Sequence, residues 1–397
     1  MIQNKNLLNV IKRLSFTLLI VIIYLAGTYI PLPFADVTRQ YVQAINDTPL
    51  TLLGAFSGAN YARLSIFSIG LNPLMFSMVL MQILMMTKFG GFDALSQNQV
   101  QYFMHFLTLI FTIGQAIFLV SNIDKHRDLL QDVKMVAILT AGSCLVVWLC
   151  YRNVKYGVGA SAPVILTGIL NNTIPNIIRN VKMIFTFDHV WLWIIGFIIF
   201  ILALIFFWVA FNRAYYPLKL INPSFSSNSK QMLVPIGLNT AAMMMYMVGM
   251  AILTVPIMLS QKLSSHSIFN NWKFNITISF IMAVVLFYFF MFVSFDPKDE
   301  AKGFRNNHLY IKNIIPGKPT KKYLFKLIMI ISIPGALLNA LQLIVGLYGN
   351  YFLGRYAGLA IIPMNIVMIT LFIGSIKDQL ATLLFPYKYD RLIKEER

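Results

Sequence analysis

The chain has 397 residues, 58% of them hydrophobic and 12% charged, with a mean hydropathy of +0.71 and a formal net charge of +18. A soluble domain carries about 25% charged residues, so this composition excludes a soluble globular fold and defines an all-α polytopic membrane protein. Its two cysteines, Cys144 and Cys150, fall in one apolar run on different helix faces, which argues against a disulfide framework and a cysteine metal site.

A short basic head with Lys5, Lys12 and Arg13 leads into an apolar run over 14–31. No small-residue cleavage site follows it, so it is expected to be a retained first helix rather than a signal peptide. The stretch from Leu50 to Met86 starts as a membrane segment and then breaks pattern. Gly54, Gly58, Asn60, Arg63, Gly70, Asn72 and Pro73 interrupt it, and a clean apolar run begins only after Pro73. A spanning helix needs about 20 apolar residues, so that run is too short to cross alone. Interrupted backbone is tolerated at membrane depth only where it is buried in protein or lines a water-filled cavity. The stretch is therefore expected to be a discontinuous element at the centre of a pore or binding site. Further apolar runs near 102–121, 134–151, 161–178, 190–211, 233–259, 274–294, 324–346 and 357–376 bring the expected number of membrane helices to ten.

With a cytoplasmic N-terminus and ten alternating helices, roughly two-thirds of the 32 lysines and arginines fall on the cytoplasmic side, which orients both termini into the cytoplasm. The net charge is then largely a topology signal, with contact to anionic membrane lipids added. No basic module with stacking aromatics stands outside the apolar runs, so nucleic acid is not an expected partner. All 14 acidic residues lie in loops, tails or helix ends, which disfavours a proton-coupled transporter, because ionisable groups in mid-membrane mark proton paths. His105, His126, His189, His266 and His308 lack paired-ligand spacing, and GKPTKK at 317–322 lacks the pattern of a phosphate loop. No catalytic residue, metal or cofactor is expected. GVGASA at 157–162 reads as a tight turn opening a helix, and GAFSG at 54–58 and GRYAG at 354–358 have the small-xxx-small spacing of close helix contacts.

Ten helices divide into five and five, 1–183 and 184–397, and an odd number per half forces the halves into opposite orientations. The interruption at Asn72 and Pro73 in the second helix then corresponds to Pro235, Gly237 and Asn239 near the start of the seventh. Paired interruptions of this kind are expected of inverted repeats around a central pathway.

Three stretches resemble a known family. LLGAFSGANYARLSIFSIGLNP at 52–73 is similar to the plug and second helix of SecY, the protein-conducting channel subunit. IIPGKPTKKYL at 314–324 resembles that family's last cytoplasmic loop, and GTYIPLP at 27–33 the end of its first helix. Helix number, topology and loop order agree from about residue 7 to the end. The chain departs from a housekeeping SecY in its short connection TKFGGFDALSQNQV between helices two and three. Its connection NRAYYPLKLINPSFSSNSKQM between helices six and seven lacks a long basic hairpin, and Ile315 stands where an arginine precedes PGK. These departures resemble the accessory branch of the family in Gram-positive bacteria, which works with an accessory SecA motor to export serine-rich glycoprotein adhesins.

The resemblance implies a plasma-membrane channel with an apolar constriction, a plug on its outer side and a lateral gate between helices two and seven. Carried over by position, the constriction falls on Leu71, Met75, Leu166, Leu170, Met245 and Met368. The plug, near 50–60, includes Leu53, Gly54, Phe56, Ser57 and Gly58, and the gate carries Gln82 and Asn239. The cytoplasmic loop 295–326 is expected to dock the SecA-type motor through Arg305, Lys312, Lys318, Lys321 and Lys322. Small SecE- and SecG-like or accessory subunits and a secretory precursor are the other implied partners. Leu71 with Met75 and Leu166 with Leu170 are also i, i+4 pairs sharing a helix face. Two other classes remain open on the residues alone: a small-solute transporter using Gln82, Asn239, Asn339 and Gln342, and a membrane transferase using His189 or Asp378.

Overall fold

The computed structural model describes residues 2–35, 64–87, 89–121, 123, 129–184, 190–221, 232–249, 252–253, 271–349, 352 and 357–384. The N-terminal part contains α1 (Ile2–Tyr29), α2 (Asn72–Thr87), α3 (Gln97–Ser121), α4 (Leu129–Tyr156) and α5 (Ala162–Ile184). The chain continues with α6 (Val190–Asn212), strands β1 (Tyr215–Ile221) and β2 (Met232–Gly237), and α7 (Ala242–Met244), which runs on as a π turn over Met245–Gly249. Then follow α8 (Trp272–Ser294), α9 (Pro297–Asn306), β3 (Tyr310–Ile311), α10 (Lys318–Leu347) and α11 (Ala357–Leu384). Apart from α9, these helices stand at the ten expected places. Seven of the described helices are long and apolar enough to cross a membrane.

The second helix is as broken as its sequence implied. Phe67–Gly70 is a run of turns, and α2 has 16 residues, a rise of about 24 Å against a hydrocarbon core of about 30 Å. The chain ahead of it is pinned to the segment after α1. Leu32 N donates to Leu64 O at 2.9 Å and Ile66 N to Ile30 O at 3.2 Å, so in GTYIPLP the helix ends at Tyr29 and the residues after it form a short bridge, Pro31 opposite Ser65. Residues 36–63, which include the expected plug residues Leu53, Gly54, Phe56, Ser57 and Gly58, lie outside the described residues.

The seventh helix corrects the sequence reading. The apolar run 233–259 was expected to be helical from its start, but Met232–Gly237 is a strand and the helix begins at Ala242. Pro235 and Gly237 are therefore strand residues rather than a helix interruption. There β1 pairs antiparallel with β2 from Tyr215↔Gly237 to Leu220↔Met232, which buries Leu218, Leu220 and Ile236 and leaves Leu233 exposed. Pro235 is tolerated because β2 is an edge strand. β3 adds to the other side of β1 through Leu220↔Ile311 and Ile221↔Tyr310. The connection after α6 is thus a hairpin joined to the loop after α8, outside an otherwise helical body.

Two glycines let helices approach backbone in corresponding places. A Cβ on Gly142 of α4 would lie 2.2 Å from Ile66 O, just ahead of α2, and one on Gly335 of α10 would lie 2.5 Å from Leu238 O, just ahead of α7. Ser143 adds a hydrogen bond to Gly70 O at 3.1 Å. Gly142→Ala is expected to destabilise the protein by about 1–3 kcal/mol through overpacking, read as a lower thermal midpoint in detergent. Gly114→Ala on α3, where a Cβ meets open space, should leave the midpoint alone. Equal midpoints for the two variants would refute the close approach.

GVGASA is a turn, as expected. Asn153 Nδ2 donates to Val158 O at 3.0 Å and Ala160 O at 2.7 Å, and Val158 N donates to Thr17 Oγ1 at 2.9 Å. Gly159 supplies φ +82° there, a conformation without steric cost only for glycine.

Candidate functional site

The large core cluster gathers side chains from α1, α2, α4 to α8, α10 and α11. Its fully buried members include Leu71, in the turn just before α2, Met75 of α2, Met245 at the π turn of α7 and Met368 of α11, and Leu166 of α5 is partly buried against the cluster. Four of the six constriction candidates are thus buried members of this cluster and a fifth lies against it. Leu170 is half-buried one turn beyond Leu166. The fully buried pair on α5 is Ile165 and Ile169, one position earlier. Both pairs have the same i, i+4 spacing and the same apolar chemistry, so nothing in the pattern separates them.

The named members of the cluster are all apolar. Its methionines have three rotatable bonds and a polarizable sulfur, which suits a seal that must close around irregular shapes. The π turn lies where α7 meets α2. Such turns leave local slack in the helical hydrogen-bond ladder and recur at functional sites.

Polar residues form a chain behind the wall. Asn239, in the turn before α7, donates from Nδ2 to Asn212 Oδ1 at 2.6 Å and accepts from Asn339 Nδ2 at 2.6 Å. Asn212 Nδ2 reaches Thr370 Oγ1 at 3.3 Å, and Asn339 Nδ2 also donates to Gly335 O at 2.7 Å. Tyr246 donates to Gln342 Oε1 at 3.4 Å. These bonds tie the start of α7 to the end of α6, to α10 and to α11. Gln82, the other gate candidate, is half-buried on α2, and none of the hydrogen bonds described for Asn239 reaches it. Sequence reasoning missed Asn212 and Thr370, since a lone amide closing an apolar run looks like any helix end. Asn339→Ala leaves Asn239 Oδ1 buried without its donor, at an expected cost of about 1–3 kcal/mol. Thermal unfolding in detergent measures it, and an unchanged midpoint would contradict the network.

On the side of the sheet, the loop after α8 has a defined shape. Asp296 caps α9 by accepting from Lys298 N at 2.8 Å, with Pro297 in the first turn. Pro316 and Gly317 turn the chain into α10, and Gly317 has φ +108° and ψ −126°, which a side chain would forbid. Thr320 Oγ1 closes the turn on Ile315 O at 2.9 Å. Arg305, Lys312, Lys318, Lys321 and Lys322 are all exposed around it, as is Ile315. Partial burial, then the charges of Asp296 and Asp299, hold the Glu300 carboxyl above its ordinary value, so mild acid protonates it early and makes the loop more positive. His189 lies outside the described residues, and Asp378 is exposed near the end of α11.

Long apolar helices around one buried apolar core, with a short interrupted helix among them, define a polytopic membrane protein. The comparison with solved structures gives the same fold: a structure described as that of a protein conducting channel matches with a TM-score of 0.62 at 15% identity, covering 95% of this chain and 94% of that one. Sec61 in a canine ribosome-channel complex from the endoplasmic reticulum matches with a TM-score of 0.59 at 14% identity, again over 95% and 94%. The SecY family model matches residues 65–372, and the chain belongs to the SecY family. A Lactobacillus johnsonii relative called accessory Sec system protein translocase subunit SecY2 is 63% identical, over 99% of this chain and 100% of its own. A Streptococcus sanguinis protein of the same name is 25% identical over 97% and 98%.

Proposed function

We propose that this chain is the channel subunit of an accessory Sec translocase in a bacterial plasma membrane, passing secretory polypeptides outward. The observation that carries this reading is the 63% identity, end to end, with a relative named as that subunit. In this reading Leu71, Met75, Leu166, Leu170, Met245 and Met368 form the seal of the resting channel. Burial of four of them in one apolar cluster with Leu166 against it supports that role. α2 and α7 form the lateral gate, with Gln82 and Asn239 as its polar residues, and residues near 50–60 form the plug. The halves 1–183 and 184–397 are inverted repeats. The matching approaches of Gly142 to Ile66 and of Gly335 to Leu238 support this pairing, since each joins a half's fourth helix to the lead-in of its second.

A SecA-type ATPase docks on loop 295–326, small SecE- and SecG-like or accessory subunits stand beside the channel, and both termini are cytoplasmic. The cargo class is serine-rich glycoprotein adhesins. The test is co-reconstitution of the purified chain, its small subunits and the motor in vesicles, followed by protease protection of a precursor. ATP-dependent protection is expected. Uptake of small solutes without precursor protection would favour a transporter and reject the proposal.

A further inference from the structure

One face of α4 near its C-terminus is used by neither the apolar wall nor the basic loop. Leu145, Trp148, Arg152, Lys155 and Tyr156 are all exposed there, at the three- and four-residue spacings that align side chains along one side of a helix. The Arg152 guanidinium lies 5.1 Å from the Trp148 ring centroid and 5.9 Å from that of Tyr156, and Lys155 Nζ lies 5.4 Å from the Tyr156 ring. From α1, Phe16 meets Tyr156 edge-on with centroids 5.7 Å apart, and Lys12, one turn earlier, is exposed.

The two rings hold the guanidinium plane in place, and its N–H edge makes no hydrogen bond or ion pair among the described residues. A cation serving only the helix dipole would reach for the terminal carbonyls. Arg152 makes no such bond, and the carbonyls of the turn after α4 are held by others: Asn153 Nδ2 donates to Val158 O and Ala160 O, and Arg13 reaches Gly157 O at 3.5 Å. Neither α1 nor α4 offers an acid at this end. The single acidic residue of the two helices, Asp132, is in the first turn of α4, about 30 Å away along the axis. On α11, whose Gln379 touches Gly159, Lys377 and Asp378 are exposed side by side and offset each other.

We infer that this face binds the phosphate headgroup of an anionic phospholipid. A fork of guanidinium donors fits phosphate oxygens bidentately, and Lys155 and Lys12 add the charge that draws anionic lipid to a membrane surface. Trp148 lies one turn further into the membrane, the interfacial level that tryptophan favours, and Leu145 lines the upper acyl chain. Position at the end of a membrane helix, an aromatic girdle and positive charge with no acidic partner among the described residues together fit a lipid rather than a soluble ligand.

The test uses the full-length protein in neutral phosphatidylcholine vesicles that contain a minor fraction of bromine-labelled phosphatidylglycerol or bromine-labelled phosphatidylcholine. Bromine quenches tryptophan at short range, and the Trp148 signal is the difference between the wild-type protein and Trp148→Phe. Several-fold stronger quenching by the glycerol lipid is expected, unaffected by inorganic phosphate in the buffer. The preference should vanish in Arg152→Gln/Lys155→Gln, while quenching by the choline lipid persists and reports normal insertion. Equal quenching by the two lipids in wild type, a preference that survives the double substitution, or competition by free phosphate would overturn the assignment. So would a co-purifying small membrane subunit that crosslinks at position 148 and shields it from both lipids.

Discussion

Replacing Leu71 and Met368 together by asparagine is expected to make the resting channel leak ions, with conductance rising by on the order of ten- to a hundredfold. Both side chains are fully buried in the large apolar cluster, Leu71 in the turn just before α2 and Met368 on α11. An apolar constriction holds back ions by excluding water. Burying one such side chain is worth about 1.5–3 kcal/mol, and each ~1.4 kcal/mol in a barrier is a factor of ten in rate. Two amides would offer water hydrogen bonds where the wild type offers none, lowering the barrier to wetting. The measurement is single-channel current in planar bilayers, with monodisperse elution and a preserved helical spectrum as controls for folding. Unchanged conductance in a correctly folded double variant would remove these residues from the seal.

Reversing Lys318, Lys321 and Lys322 to glutamate is expected to abolish precursor export while leaving the membrane topology intact. The loop 295–326 carries eight basic and three acidic side chains, a net +5, and three reversals take it to −1. Charge complementarity chiefly sets encounter rate and partner choice, and losing favourable steering slows association by about 10- to 1000-fold. Positive-inside topology alone would account for the charge but not for the shape of the loop. Gly317 in a conformation reserved for glycine and Thr320 closing on Ile315 O hold the three lysines on a fixed turn. Motor binding measured at two salt concentrations separates the explanations. Affinity that falls with salt in wild type and is lost in the variant supports docking, whereas normal affinity and normal export would leave the charge as a topological marker.

Most of the helical body was legible because long apolar runs have few alternatives. The broken second helix declared itself through Asn72 and Pro73, and the turn at 157–162 through its glycines. The start of the seventh helix was not legible. Leu233, Val234 and Ile236 form an apolar run that is equally compatible with a strand and a helix, and the partner that decides it, β1, is identified by pairing rather than by composition. The constriction was readable only to within one residue on α5, where Ile165 and Ile169 compete with Leu166 and Leu170. The link from Asn239 to Asn212 and Asn339 was hidden for another reason. Hydrogen-bond partners 27 and 100 residues apart leave no local signature.

The central claim is that a polypeptide crosses between the two halves, inside the apolar wall. It is tested most directly by trapping a precursor partway and asking which side chains it touches. In a background with Cys144 and Cys150 replaced, Met75→Cys on α2, Met245→Cys on α7 and Phe200→Cys on the outward face of α6 each provide one thiol. A precursor stalled by a folded C-terminal domain, with one cysteine in its spanning segment, is then oxidised. Disulfide capture at positions 75 and 245 with none at 200 is the predicted result. Capture at position 200 without capture at 75 or 245 would mean that the chain passes elsewhere, and the channel account would be wrong.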